Sequence, residues 1–230
     1  MSGKGFVLDG VEHRYGDRVV LRGVDLVLAE RRIGIVGANG SGKSRLARLL
    51  NGLVVPTRGR VTYDGLDTAR DGRAVRRRVG FVFTDPDAQI VMPTVAEDVA
   101  FSLRRSGLGR AEVAARVRDA LDRCGLAGHA DHPCHLLSGG QKQLLALTAV
   151  LVTEPDVLVC DEPTTLLDLR NARRVADLLA GLPQRVVVVT HDLDRLSGFD
   201  RVLVVDEGAV VADDVPGVAI DAYRRLVEAG

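Results

Sequence analysis

Short runs of aliphatic and β-branched residues recur along the chain at Phe6–Leu8, Val24–Leu28, Ile33–Val36, Val79–Phe83, Val157–Cys160, Val186–Val189 and Val202–Val205. Continuous apolar runs of this kind predict strands buried on both faces, as in a parallel sheet covered by helices. Between them the apolar positions move to helical spacing, predicting helices at Lys43–Asn51, Val95–Arg104, Ala111–Arg123, Gln141–Val152 and Arg170–Leu179, with a last one at Ala219–Glu228. The alternation points to an α/β fold. From residue 85 to 154 the strand pattern vanishes and helices follow one another. That segment reads as an all-helical subdomain inserted into a core made of residues 1–84 and 155–230. No internal repeat or low-complexity linker interrupts the pattern.

Composition narrows the picture. A chain of 230 residues, 46% of them hydrophobic, suffices for one well-buried domain spanning 1–230. Its 31 basic residues balance 31 acidic ones, so no basic surface for nucleic acid is implied. Cys124, Cys134 and Cys160 are odd in number and lack CxxC spacing, which fits a reducing compartment. The N-terminal Met-Ser-Gly-Lys-Gly-Phe has no leader-like apolar core. The longest apolar stretch, Leu144–Val152, is about half the length that crosses a bilayer. Any role at a membrane is therefore expected to come through a partner. Lys4, Lys43 and Lys142 are the only lysines among those cations, so the position of Lys43 carries information.

The segment Gly37-Ala38-Asn39-Gly40-Ser41-Gly42-Lys43-Ser44 fits G-x-x-x-x-G-K-S, follows the predicted strand Ile33–Val36 and opens a predicted helix. This is the frame of a phosphate-binding loop. Glycines let successive N–H groups converge on a β-phosphate, and the helix N-terminus adds partial positive charge. Lys43 is placed to bridge β- and γ-phosphates, and the Ser44 hydroxyl to ligate Mg²⁺. Farther on, the apolar strand Val157–Cys160 ends in Asp161-Glu162, at the strand end where open α/β sheets bind ligands. Asp161 is the expected Mg²⁺ partner, and Glu162 the candidate general base that polarises the attacking water.

Leu137-Ser138-Gly139-Gly140-Gln141 ahead of a helix matches the signature sequence of the ATP-binding cassette (ABC) family. With the phosphate loop, the Asp161-Glu162 pair and His191 after Val186–Val189, the chain resembles that family over nearly its whole length. The resemblance implies a P-loop NTPase of the ABC nucleotide-binding type, with ATP and Mg²⁺. It further implies a homodimer in which Ser138, Gly139, Gly140 and Gln141 meet the γ-phosphate of the opposite copy's nucleotide. Tyr15 matches the aromatic that stacks on adenine, His191 the residue that contacts the γ-phosphate, and Asp168 the aspartate of the loop crossing the dimer interface. Two departures stand out. Leu166 replaces a small residue, and Thr84 replaces a glutamine that touches Mg²⁺ and water, with Gln89 as a possible substitute.

The absence of a fused membrane span, the single cassette and the short span from Lys43 to Ser138 are similar to the detachable motor of a membrane transporter. The segments Asp85–Gln89 and Pro93–Phe101 resemble the ATPases of energy-coupling-factor importers, which carry vitamins or cobalt and nickel. That resemblance implies an integral membrane coupling subunit docking near Asp87, Gln89, Glu97 and Asp98, a substrate-capture membrane subunit, and residence on the cytoplasmic face of the cell membrane. Phe83-Thr84-Asp85-Pro86 with a short C-terminal end looks most like the biotin importers' ATPase. A cobalt or nickel importer and a soluble remodelling ATPase remain as alternatives. His129, His132, Cys134 and His135 offer metal-ligand types within seven residues, against a connector-loop reading stiffened by Pro133.

Overall fold

The computed structural model describes residues 5–229; Met1–Lys4 of the N-terminal stretch discussed above lie outside them. The chain opens with β1 (Phe6–Tyr15) and β2 (Arg18–Leu28), then β3 (Arg32–Val36), α1 (Lys43–Leu50), β4 (Arg58–Tyr63) and β5 (Leu66–Asp67). Next come α2 (Gly72–Arg78), β6 (Val79–Val82), α3 (Val95–Ser102), α4 (Arg110–Arg123), α5 (Gly139–Leu151) and β7 (Val157–Asp161). The remainder is α6 (Leu169–Gly181), β8 (Arg185–Val189), β9 (Arg201–Asp206), β10 (Ala209–Asp214) and α7 (Pro216–Ala229). Contacts divide the molecule into two compact units. The first holds residues up to Phe81 with Val157–Glu162 and Gln184 onward; the second holds Val82–Asp156 with Pro163–Pro183.

In the first unit, a six-stranded sheet of order β10-β9-β3-β8-β7-β6 carries the runs expected to be buried on both faces. β3 pairs in parallel with β8 and β9, and β7 in parallel with β8. All five residues of β3 and of β7 are buried, as strands covered on both faces must be. β10 closes one edge antiparallel to β9. Beyond it α7 sets Ala219 and Ile220 against Val36, Val202 and Val204.

The expectation fails for the first two runs. Phe6–Leu8 and Val24–Leu28 are parts of longer strands in a separate four-stranded antiparallel sheet of order β2-β1-β4-β5. Their side chains alternate between core and solvent: Phe6, Leu8 and Val11 are buried, whereas Val7 is 44% exposed. An antiparallel sheet packed on one face permits that alternation. Gly16, with φ of 58°, supplies the positive φ that the two-residue turn between Tyr15 and Arg18 requires at its first position.

The second unit is helical. α3, α4 and α5 pack on one another, and α6 packs on α5. α5 buries Leu144, Leu145, Ala146 and Leu147 in succession, so it is covered on nearly all sides. Among the described residues, no helix is long and apolar enough to cross a membrane.

Candidate functional site

The phosphate loop leaves β3 at Gly37 and enters α1 at Lys43, the frame expected from sequence. Gly37 has a φ of 150°, and a Cβ there would lie 2.0 Å from the Val205 carbonyl oxygen, so no larger residue fits. Gly40 and Gly42 also take positive φ, and the Ser41 N–H between them donates to the Ala38 carbonyl at 3.2 Å, closing a tight turn inside the loop. Lys43 is only 5% exposed, and its Nζ donates to the Ala38 carbonyl at 2.9 Å, folding the ammonium across the loop. Burial pulls its pKa below the ordinary lysine value, while the nearby Glu162 and Asp161 carboxylates oppose the shift. Ser41 Oγ is buried with no hydrogen-bond partner among the described residues.

Asp161, the last residue of β7, is 1% exposed. Its Oδ1 accepts from Ser44 Oγ at 2.7 Å and its Oδ2 from Arg48 at 3.4 Å. The first residues of α1 and the end of β7 thus place two oxygen donors, a hydroxyl and a carboxylate, side by side. Glu162 follows with a φ of 49°, an uncommon conformation for a residue with a side chain. Its N–H donates to Val189 O at 2.9 Å, and its Oε2 lies 3.6 Å from Nδ1 of His191, which follows β8. Tyr15 stands at the tip of the β1–β2 hairpin, 74% exposed, and lines one pocket together with Gly40, Gly42, Lys43 and Ser44. The first unit therefore assembles an exposed aromatic residue, a tightly turned glycine-rich loop, a buried ammonium and the Asp161-Glu162 pair.

In the second unit, Ser138 caps α5. Its Oγ accepts from Gln141 N at 3.3 Å, and Gln141 Oε1 accepts from Ser138 N at 2.8 Å, a reciprocal capping box. Gly139 faces open space, whereas a Cβ on Gly140 would fall 2.3 Å from the Asn171 side chain. Asp168 caps α6, accepting from Asn171 N and Asn171 Nδ2 at 2.8 Å each. Those bonds, the backbone one first, hold its carboxyl below the usual aspartate value. Leu166 is 63% exposed and Leu169 86%.

The family model of the ABC transporter matches residues 21–165. The chain belongs to that family. This ABC cassette is 57% identical to the "Putative ABC transporter ATP-binding protein" of Deinococcus radiodurans, over 94% of this chain and 95% of that protein. It is 48% identical to the "Biotin transport ATP-binding protein BioM" of Rhizobium etli, over 92% of this chain and 94% of that one. Among solved structures, cbiO1 of Clostridium perfringens, described as part of the ABC transporter complex cbiONQ, superposes with a TM-score of 0.84 at 32% identity, covering 99% and 94% of the two chains. As an ABC ATPase, the cassette binds ATP and hydrolyses it.

Of Asp87, Gln89, Glu97 and Asp98, the residues expected to meet a partner, Asp98 needs correction. Asp98 is 4% exposed, and its Oδ1 accepts from the Val91 and Met92 N–H groups at 2.8 and 3.0 Å, so it ties the turn before α3 to the helix and offers nothing to a partner. Glu97 is exposed but closes the capping box of α3 on Thr94. Gln89 accepts from Phe83 N at 3.3 Å and donates to Ala146 O at 3.2 Å. Its amide is committed to the backbone beside Thr84. Asp87 is 63% exposed on its side chain and pairs with Lys142 at 2.7 Å. The sequence did not reveal the role of Asp98, because an aspartate on the buried side of a helix and one on its solvent side look alike in sequence. No group of three or more His, Cys, Asp or Glu residues able to hold a metal ion occurs among the described residues. The His129–His135 loop is tied by backbone bonds, Val95 N to His132 O, Ala96 N to Ala130 O and Cys134 N to Pro93 O, and His129 Nε2 lies 3.0 Å from Gln141 Nε2.

Proposed function

We propose that this cassette is the ATP-hydrolysing subunit of an energy-coupling-factor importer with biotin as its cargo. The observation that carries the catalytic half is the convergence of Lys43, Ser44, Asp161, Glu162 and His191 on the carboxyl ends of β3, β7 and β8, the place where open α/β sheets bind ligands. The cargo rests on the likeness to the Rhizobium protein, whose name specifies biotin transport.

Tyr15 stacks on the adenine, and the loop N–H groups of residues 37–44 with Lys43 hold the β- and γ-phosphates. Hydroxyl and carboxylate are the hard oxygen donors that Mg²⁺ selects, and they lie 2.7 Å apart, so Ser44 and Asp161 fit the ion. When bound, it would neutralise charge developing on the phosphates. Thr84 has a shorter reach than the glutamine usual at its position. Glu162 accepts the proton of the attacking water as general base. His191, 3.6 Å from that carboxylate, positions it and meets the γ-phosphate.

Ser138, Gly139, Gly140 and Gln141 open α5, an anion-attracting helix N-terminus in the second unit, and Asp168 opens α6. In the dimer these groups complete the site of the opposite copy. ATP then holds two cassettes together through its γ-phosphate, and cleavage lets them part. The motion reaches an integral membrane subunit docked at the surface around Asp87 on the second unit, so the cassette is peripheral on the cytoplasmic face of the membrane. A substrate-capture membrane subunit completes the assembly.

The test is uptake by cells carrying the native membrane partners with wild-type or Glu162→Gln cassette. Loss of biotin uptake alone supports the reading. Loss of cobalt or nickel uptake alone moves the cargo to metal ions. No loss of either, with no copurifying membrane subunit, contradicts the transporter role and favours a soluble remodelling ATPase.

A further inference from the structure

The pocket between Tyr15 and the phosphate loop carries more positive charge than the loop motif accounts for. Arg18, Arg45 and Arg48 line it together with Lys43. Arg48 is spoken for by Asp161 at 3.4 Å. For Arg18 and Arg45, by contrast, no carboxylate lies within salt-bridge distance, among the described residues. The two arrive from different elements. Arg18 starts β2 and pairs with Tyr15 across the hairpin, so both leave the same end of the ribbon. Its guanidinium reaches over the loop, with Nη2 4.0 Å from where a Cβ on Gly40 would sit. Arg45 stands two residues beyond Lys43 in the first turn of α1. It is half-buried, and its charge adds to burial, the larger cause, in lowering the pKa of His13.

Two like charges beside a buried lysine ammonium and a helix N-terminus repel one another unless an anion lies between them. A helix N-terminus is a poor place for a cation, because the helix dipole disfavours it there. Arg45 and Arg18 are thus unfavourably placed beside Lys43 by themselves and favourably placed beside a polyanion. Asp17, Asp206 and Glu207 line a neighbouring cavity that Arg18 also lines, and none of them pairs with it within salt-bridge distance.

We propose that Arg18 and Arg45 form a guanidinium clamp on the phosphate chain of the nucleotide, outside the backbone cradle. Arg18 ties the aromatic hairpin to the phosphates, so stacking on Tyr15 and phosphate binding reinforce each other. Arg45 holds the part of the chain nearer the ribose, since it lies on α1 beyond the residues that face the terminal phosphates. The clamp rests on the reading of this pocket as the ATP site, and it makes affinity depend on phosphate charge more than on the identity of the base.

The experiment measures Kd for fluorescent N-methylanthraniloyl ATP and ADP on the full chain, comparing wild type with Arg18→Ala, Arg45→Ala, Arg18→Lys and Lys43→Ala, at low and high salt. Each arginine-to-alanine change should weaken ATP binding about tenfold, the loss expected for one charge-assisted hydrogen bond to phosphate. Arg45→Ala should weaken ADP by a similar factor, and Arg18→Lys should recover part of the loss. Salt should weaken the wild type more than either alanine variant. Melting temperatures without nucleotide should stay at or above the wild-type value, because removing an unpaired like charge relieves repulsion; a marked drop would assign the arginines a folding role and overturn the clamp. If Lys43→Ala loses binding while both arginine variants bind as wild type does, the clamp is wrong and the pocket stands. If Lys43→Ala binds normally, the pocket itself is misassigned and the clamp falls with it.

Discussion

Replacing Asp161 by asparagine separates the metal role proposed for this site from its structural one. The two side chains have the same shape, and asparagine keeps an oxygen that can accept from Ser44 Oγ, now 2.7 Å away. What goes is the negative charge. The Arg48 contact is long, 3.4 Å, and the arginine side chain is 38% exposed, so water can take over its guanidinium. Breaking a fully buried ion pair costs about 3–5 kcal/mol, but the half-solvated geometry here places the loss near the bottom of the range for a charged hydrogen bond, roughly 1–2 kcal/mol. For a chain of this size that corresponds to a fall of roughly 2–8 °C in melting temperature. The effect on nucleotide is larger and conditional. With Mg²⁺ present, loss of a carboxylate beside the ion should raise the Kd for ATP at least about tenfold. In EDTA the Kd should change less than about twofold, well under 1 kcal/mol. Calorimetric titration of ATP under both conditions reads the difference directly. Equal weakening with and without Mg²⁺ would show that Asp161 acts through the loop and not the metal, and undiminished Mg–ATP affinity would refute its assignment altogether.

Two further outcomes are expected. Thr84→Gln should leave ATP affinity similar and preserve or raise turnover, because Gln89 is held by Phe83 N and Ala146 O; a collapse of steady-state hydrolysis would show that threonine itself is required. Asp168 has its carboxyl pulled below the ordinary aspartate value of 3.8, chiefly by the Asn171 N–H, so its contribution to stability is present above that value and is lost as pH falls through the lower native one. Asp168→Asn keeps the cap and removes the titration, so melting temperatures followed from about pH 6 to about pH 3 should fall less steeply than in the wild type; identical slopes would remove Asp168 from the acid response.

Much of the local geometry of the candidate site was legible because each part is local in sequence. A strand that ends in glycines and Lys-Ser, and another that ends in Asp-Glu, announce their chemistry through spacing alone, and the topology brings the two ends together. The antiparallel sheet was not legible as such. Its strands β1 and β2 alternate between core and solvent, so only their more continuous ends, Phe6–Leu8 and Val24–Leu28, stand out as runs. β4 begins Arg58-Gly59-Arg60, all exposed, and offers only Val61 and Tyr63 to the core. α2 is Gly-Arg-Ala-Val-Arg-Arg-Arg with Val75 as its buried residue, too little apolar periodicity to register. Asp98 failed for a different reason: an acidic residue in a first helical turn usually serves the dipole from the solvent side, and burial by the preceding turn leaves no mark on composition. Arg18 and Arg45 are lost among many arginines until the fold shows that, among the described residues, no carboxylate comes within salt-bridge distance of them.

The central claim is that ATP joins two copies of this chain and that Glu162 hydrolyses it. Multi-angle light scattering of Glu162→Gln, with and without Mg–ATP, tests it most directly. The account predicts a 24.6 kDa monomer without nucleotide and a particle of about twice that mass with it, accompanied by a loss of steady-state hydrolysis of roughly a hundredfold or more. A variant that stays monomeric with bound ATP, or turns it over as fast as the wild type, would contradict the account.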